Sequence, residues 1–403
     1  PERARARWSA LLPGLLPMPS LVVPVPSVTL SLPATHLGPR LFPTFMPDRR
    51  IRGVLAFSIG PILYILVVLR SISDVAGPAS VPHTAVTGAS LLTVLCLFAL
   101  LFYVHKVARS LVADNIIDLV AGELQRSVRT ILPEADGHEV WSRPEQLPSV
   151  TQEIAIGRSG VVQVVDQNAL LECACKSDVV LDVRVRAGHF VLRHGPHVIV
   201  LGGTLADEAA DTVRATFVIG PDRSPAQDIE FGIRQLVEIG LRALSPGIND
   251  PFTAIATIDR LAAALEVAMS RGEPAAVLRD GDGMVRVLLD RSDPAGLVGA
   301  AFDALRQAGR SNPAILIRMA DVIGQLAPAV PGDAWAQALA RQLVRIGETA
   351  RSGGLTSDDL GDVNRRIHRA AGALNEPLRD QKPDSQPHTA GSAGPSAPFV
   401  RPA

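Results

Sequence analysis

In this 403-residue chain, the densest grouping of residues suited to chemistry is Ser245-Pro246-Gly247-Ile248-Asn249-Asp250-Pro251. An Asn and an Asp ahead of a helix-starting proline admit two uses. Backbone N–H groups at the helix N-terminus, beside Asn249 and Asp250, can receive an anion, or carboxylate and carbonyl oxygens can hold a cation. The same residues serve equally well as a turn and cap with no ligand. Arg234 and Arg242 on the preceding helix could aim back at this place, although both also suit pairing with Glu230 and Glu238. With Asp228 and Thr253 they complete the candidate ligand-binding set. If the protein is an enzyme, Asp250 is the expected base or metal ligand.

Other candidates carry less. His189, His194 and His197 lie close in sequence, as zinc or nickel ligands can, but spacings of five and three do not share one strand face. Cys173 and Cys175 on a short helix point apart, so neither a redox pair nor a chelate is expected. Asp114 and Asp118 stand one turn apart and could guard a cation exit, or be solvated carboxylates. The chain has no Gly-Lys-Thr phosphate loop, Gly-x-Ser-x-Gly elbow or HExxH helix. No cofactor and no metal are expected.

The elements that must position these residues are legible in part. Ser224-Pro225-Ala226-Gln227 has the form of a capping box with proline at the first helical position, predicting a helix to Leu244. On it Glu230, Arg234, Glu238 and Arg242 recur every four residues, as a solvated stripe of ion pairs does. Gly247 is expected to supply positive φ, with Asn249 or Asp250 capping a helix from Pro251 to about Ser270. Ala275 to Leu289 reads as a hairpin turning at Asp280-Gly281-Asp282-Gly283. Amphipathic helices follow near 294–309, 313–328, 334–351 and 357–375, making 207–376 a mainly α-helical subdomain.

Ahead of it, 149–205 has strand periodicity, with strands near Val161–Val165, Val179–Val185, His189–Leu192 and His197–Leu201. The spacing Val185, Gly188, Val191, Gly195, Val198 resembles barrel-sandwich hybrid domains such as biotinyl and lipoyl carriers. Those modify a hairpin lysine, and none lies between Val185 and Val198. A small β subdomain for packing or small-molecule contact is expected instead. Residues 107–132 have helical spacing and read as a stalk, and 377–403, rich in Pro, Ser, Ala and Gly, as a disordered tail.

Composition sets the location. The chain holds 39 basic and 40 acidic residues for a net charge of -1, with 47% hydrophobic residues and a mean hydropathy of +0.24. Near-zero net charge removes any whole-protein argument for nucleic acid, and three cysteines make no disulfide framework. The hydrophobicity concentrates in two charge-free runs, 53–69 and 84–104. At 1.5 Å per residue they reach about 25 and 31 Å, against a hydrocarbon core of about 30 Å. Two transmembrane helices within 49–106 are expected. Arg40, Arg49, Arg50 and Arg52 before them and Lys106 and Arg109 after them put both termini in the cytoplasm. Residues 1–48 are too rich in proline for a span. Gly88, Ala89 and Ser90 suggest helix packing and a homo-oligomer in the lipid bilayer.

The stretch FVIGPDRSPAQDIEFGIRQLVEIGLRALSPGINDPFTAIATIDRL, residues 217–261, closely resembles the signature of the bacterial membrane-protein family known as domain of unknown function 2254. LGPRLFPTFMPDRRIRGVL, VHKVARSL, SGVVQVVD and RAGHFV extend the likeness over roughly residues 28–375. The resemblance implies a multi-pass inner-membrane protein with no established activity. Family members typically carry four spans, so VPSVTLSLPATHLGPRLF reads as an altered end of the family's second span and the N-terminus as truncated or altered.

The expected fold is therefore an α-helical transmembrane hairpin followed by an α+β cytoplasmic domain, with a small β-barrel-like subdomain and a mainly α-helical one. The expected role is binding, sensing or scaffolding of a partner or small ligand. The alternatives are a membrane-bound enzyme using Asp250 and an oligomeric channel or transport component.

Overall fold

The computed structural model describes residues 83–110, 113–134 and 146–375, with isolated positions 63, 64, 67 and 144. Helix α1, His83–Ser110, holds the second charge-free run. It leaves large apolar side chains uncovered, with Phe98 65% and Phe102 66% exposed beside Leu91, Leu97 and Leu101. Among the described residues no helix is long and apolar enough to cross a membrane. That overturns the expected transmembrane hairpin and the multi-pass reading with it: the described chain is an α+β fold built on two sheets. Lack of charge is necessary for a crossing but not sufficient, because the same composition suits an apolar helix laid along another surface. Apart from Leu63, Tyr64 and Val67, the expected first span at 53–69 lies outside the described residues, as do 1–48 and 377–403.

Helix α2, Ala113–Ile131, is no free stalk. Its Ile116, Val120, Leu124 and Val128, which the helical spacing puts on one side, are each 1% exposed against other helices of the chain, joined by Ile117, whereas Leu119 is 43% exposed.

The β unit follows with β1 (Val150–Ile154), β2 (Gly160–Val165), α3 (Gln167–Lys176), β3 (Val180–Val183), β4 (Phe190–Val191), β5 (Val198–Leu201), α4 (Asp207–Ala215) and β6 (Phe217–Gly220). The helical unit holds α5 (Ile229–Ala243), α6 (Pro251–Met269), the hairpin β7 (Val277–Arg279) and β8 (Val285–Leu289), then α7 (Pro294–Ala308), α8 (Pro313–Leu326), α9 (Asp333–Ser352) and α10 (Ser357–Asn375). One sheet has the order β1-β5-β3-β8-β7 and the other β4-β2-β6. The β layer is thus two sheets and not a closed barrel. It recruits β6 and the β7–β8 hairpin from beyond residue 205: β6 pairs antiparallel with β2, and β8 pairs parallel with β3 through Leu181–Val287 and Val183–Leu289. Those two apolar strands, with buried Leu181, Val183 and Val287, need cover on both faces, as parallel pairs do.

Two registers orient the helical unit. Arg260 Nε lies 2.6 Å from Asp118 Oδ1, and Arg271 Nη2 donates to the Leu132 carbonyl at 2.8 Å, so α6 and α2 run side by side in the same direction. The turn before Pro251 therefore lies at the end of the unit where α2 begins. Helix α5 runs the opposite way, with Gly232 against Leu124 and Gly240 against Leu305. A Cβ on Gly240 would sit 2.7 Å from Leu305 Cδ2, so glycine is what lets α5 and α7 approach so closely.

Candidate functional site

The SPGINDP turn is occupied by its own backbone. Asp250 is the N-cap of α6: Oδ1 accepts N–H bonds from Phe252 at 3.1 Å and Thr253 at 3.2 Å, and Oδ2 accepts the Thr253 hydroxyl at 2.6 Å. The Thr253 hydroxyl first, and the two backbone donors after it, hold the Asp250 carboxyl below the ordinary carboxylate range against a smaller opposing effect of burial. Both oxygens are thus engaged in capping. Positive φ falls on Asn249 (φ 49) and not on Gly247, so the expected glycine role moves two residues along. Ser245 closes the turn, its carbonyl accepting from Ile248 and Asn249 and its hydroxyl donating to the Arg242 carbonyl.

The six candidate residues separate into two places. Asn249, Asp250 and Thr253 stay at the turn. Arg242 pairs one turn earlier with Glu238 at 3.4 Å. Arg234 and Asp228 belong to the opposite end of α5, where the β unit meets the helices.

That junction holds a charged seam. Arg186, in the loop between β3 and β4, donates Nη2 to Glu230 Oε1 at 2.7 Å and Nη1 to both Asp290 oxygens at 3.0 Å. Glu230, 8% exposed, also accepts the Ser292 hydroxyl at 2.9 Å and lies 3.5 Å from Arg234. It is therefore no member of a solvated stripe. Burial pushes the Glu230 carboxyl up, but bonds from Arg186 and Ser292 with the charges of Arg186 and Arg234 outweigh it and leave it below the ordinary range. Burial likewise opposes the Arg186 charge and is outweighed by Glu230 and Asp290.

Asp228 is the second anchor. It caps α5 through the Phe231 N–H at 3.1 Å and meets Arg223 at 2.6 Å, while burial raises its carboxyl despite that partner. Helix α5 thus begins at Ile229 with Asp228 as its cap, four residues later than the Ser224 cap and Pro225 start that the capping-box pattern suggested. Gln227 instead spends its amide on the backbone of Val165, accepting at 2.9 Å and donating at 3.2 Å. Gly188 (φ 91) closes the seam from the β side. A Cβ there would overlap Asp228 Oδ2 and Arg223 Nη2. His189, 3.7 Å from Asp290, is kept toward its neutral form by burial first and by Arg186 next.

A narrow cavity of about 60 Å³ runs along this seam between Val185–Ala187, Gln227–Ile229, Asp290–Ser292 and the ends of α2 and α6. It shares Arg291, Ser292 and Pro294 with an open cleft of about 540 Å³, and Gln167, Gln227 and Arg271 with another of about 760 Å³. Together they form one crevice with polar groups converging from both units. None of the three is lined by Asp250.

Of the remaining candidates His194 is exposed and Cys175 partly buried, and the other described ones are engaged locally. His197 is buried and its Nδ1 accepts the Ile156 N–H at 3.1 Å. Cys173 is buried against the Ala209 carbonyl, and burial raises its thiol. Asp118 is the partner of Arg260, while the Asp114 side chain lies outside the described residues. Among the described residues no group of three or more His, Cys, Asp and Glu is placed to hold a metal ion.

With that geometry in place, comparison with known proteins decides the family. Residues 1–325 match the family described as predicted membrane protein, DUF2254. The chain belongs to the DUF2254 family. An uncharacterized protein of Mycobacterium bovis and one of Mycobacterium tuberculosis are each 28% identical to this DUF2254 chain over 311 residues, 74% of its length and 59% of theirs. The chain thus spans about 59% of the length of these curated relatives. No solved structure matches it. Membership in DUF2254 supports a membrane location for the protein.

Sequence reasoning missed Arg186, Arg223, Asp290 and Ser292. Arg186 and Asp290 are 104 positions apart and meet only because β8 pairs with β3. Gly188 did carry a local signal, a glycine after Arg186-Ala187 where the strand pattern breaks.

Proposed function

We propose that the protein is a membrane-associated binding protein that takes a small polar ligand in the crevice between its β unit and its helices. The observation that carries this is the convergence of charged groups from both units on one concave space. Such a joint can report occupancy by shifting one unit against the other. Pairs of groups displaced in opposite directions, Asp228 upward and Glu230 downward, accompany binding sites more often than plain surface, although structural ion pairs do the same. The enzyme reading loses its support, since both Asp250 oxygens cap a helix and no cavity described above reaches them.

Membrane association takes support from two apolar features at one end. Helix α1 leaves Leu91, Phe98, Leu101 and Phe102 uncovered, and the SPGINDP turn, at the end where α2 begins, exposes Ile248 (41%) and Phe252 (80%). In sequence the apolar run of α1 is followed by Lys106 and Arg109, which favour an anionic leaflet. We infer a peripheral or embedded attachment to the cytoplasmic face of the inner membrane, with the crevice turned away from the lipid. Native mass spectrometry of the protein taken from its own membranes tests the central point, a bound small molecule.

A further inference from the structure

We propose that a groove between α5, α7 and α9 binds the phosphate group of a soluble anionic molecule. It lies on the far side of the Arg186–Glu230 pair from the crevice and measures about 450 Å³. Four arginines line it: Arg186, Arg234, Arg341 and Arg345. Two carboxylates of the groove, Glu230 and Asp303, answer them, and Asp290 also binds Arg186 at 3.0 Å from outside it. Glu230 serves Arg186 at 2.7 Å and Arg234 at 3.5 Å, while Asp303 serves Arg345 at 3.0 Å and also Arg306 at 3.4 Å from outside the groove. Arg341 has no hydrogen bond or ion pair among the described residues. The groove is therefore lined by two more positive charges than negative ones, and guanidinium forks match the geometry of tetrahedral oxyanions.

A second observation points to a ligand independently of charge. Gln342, on α9, lines the groove and is 2% exposed, yet its amide nitrogen has no hydrogen-bond partner. A buried donor left unpaired is costly to the fold, and such groups persist where a ligand completes them. Half a turn of the amide plane exchanges its two ends without displacing its heavy atoms. The first turn of α7, through Ala295 and Gly296, adds the positive end of a helix to the same wall.

The position selects a soluble source over a lipid head group. Arg234 stands ten residues before Leu244 on α5, so about 15 Å separates it from the apolar SPGINDP end. The proposal does not depend on the crevice holding a ligand, although an anion drawing on Arg186 or Arg234 would loosen their hold on Glu230 and so reach the seam.

The test is calorimetric titration of the full chain in detergent with inorganic phosphate. Saturable binding is expected, weakened at least tenfold in Arg234→Ala/Arg341→Ala, two positions exposed enough to leave the fold intact. Gln342→Leu is expected to raise the unfolding midpoint while weakening phosphate at least threefold, a pairing that a purely structural glutamine does not produce. Absence of saturable binding in the wild type, or binding unchanged in both variants, overturns the proposal. Displacement of bound phosphate by phosphatidylglycerol vesicles but not by phosphatidylcholine vesicles overturns the soluble source. Loss of phosphate binding with the crevice adduct retained in the native mass spectrum separates failure of the groove from failure of the crevice.

Discussion

Arg186 of the β unit and Glu230 of helix α5 meet at 2.7 Å across the junction of the two units, with 26% and 11% of their side chains exposed. The pair is held further by Asp290 on one side and Ser292 on the other. Glu230→Gln leaves Arg186 short of a charge partner in a poorly solvated place, and is expected to cost about 2–3 kcal/mol in urea unfolding. Arg186→Met combined with Glu230→Leu is expected to cost less than the sum of its singles, since removing both charges leaves neither stranded. Additive losses would show that the two do not interact.

Acid sensitivity follows from the same residues. Glu230 has a depressed folded-state pKa, so its stabilisation is present above its unfolded pKa and is lost as pH falls through the folded one. Asp228 is displaced upward, and its ionisation therefore works against the fold as pH rises through the ordinary carboxylate range. In urea midpoints taken from neutral pH to below that range, Glu230→Gln should flatten the acid limb. Asp228→Asn should gain on the wild type as pH rises; a variant losing ground with rising pH would reverse the assignment.

At Asp250 the cap interpretation has a graded signature. Asp250→Ala is expected to destabilise by about 1 kcal/mol and Asp250→Asn by only a few tenths, because asparagine caps nearly as well. Neither should alter a ligand held in the crevice. Equal, large losses of ligand in both variants would return Asp250 to the candidate list.

Gly188→Ala combines positive φ with overlap on the Arg223–Asp228 pair. A loss of about 2 kcal/mol or more is expected, read as a lowered unfolding midpoint. A near-neutral result would mean that the loop and the pair are free to move apart.

For membrane contact, Ile248→Ser/Phe252→Ser removes two exposed apolar side chains from one end. Sedimentation with vesicles should fall by about tenfold or more, while stability changes by about 0.5 kcal/mol or less. Unchanged sedimentation would leave the attachment to α1 alone.

What the sequence revealed and what it hid divide along the range of the interactions. Helix α6 with its Pro251 start and a cap at Asn249 or Asp250, the β7–β8 hairpin and the boundaries of α10 were legible because local pattern specifies them. The seam was not. Glu230 looked solvated because its spacing to Arg234 is the surface pattern, and only the pairing of β8 with β3 brings Arg186 and Asp290 to it. The Ser224 capping box misled because Gln227 found a better use on the Val165 backbone than on the helix. The charge-free run at 84–104 misled because composition does not say what an apolar helix lies against.

The most direct test of the account is native mass spectrometry of the protein isolated from its own membranes, beside Gln167→Trp, which fills the crevice from its rim. The account predicts a small non-lipid adduct on the wild type that is absent from the folded variant. A folded wild type carrying no such adduct, or an identical adduct on both proteins, would contradict it.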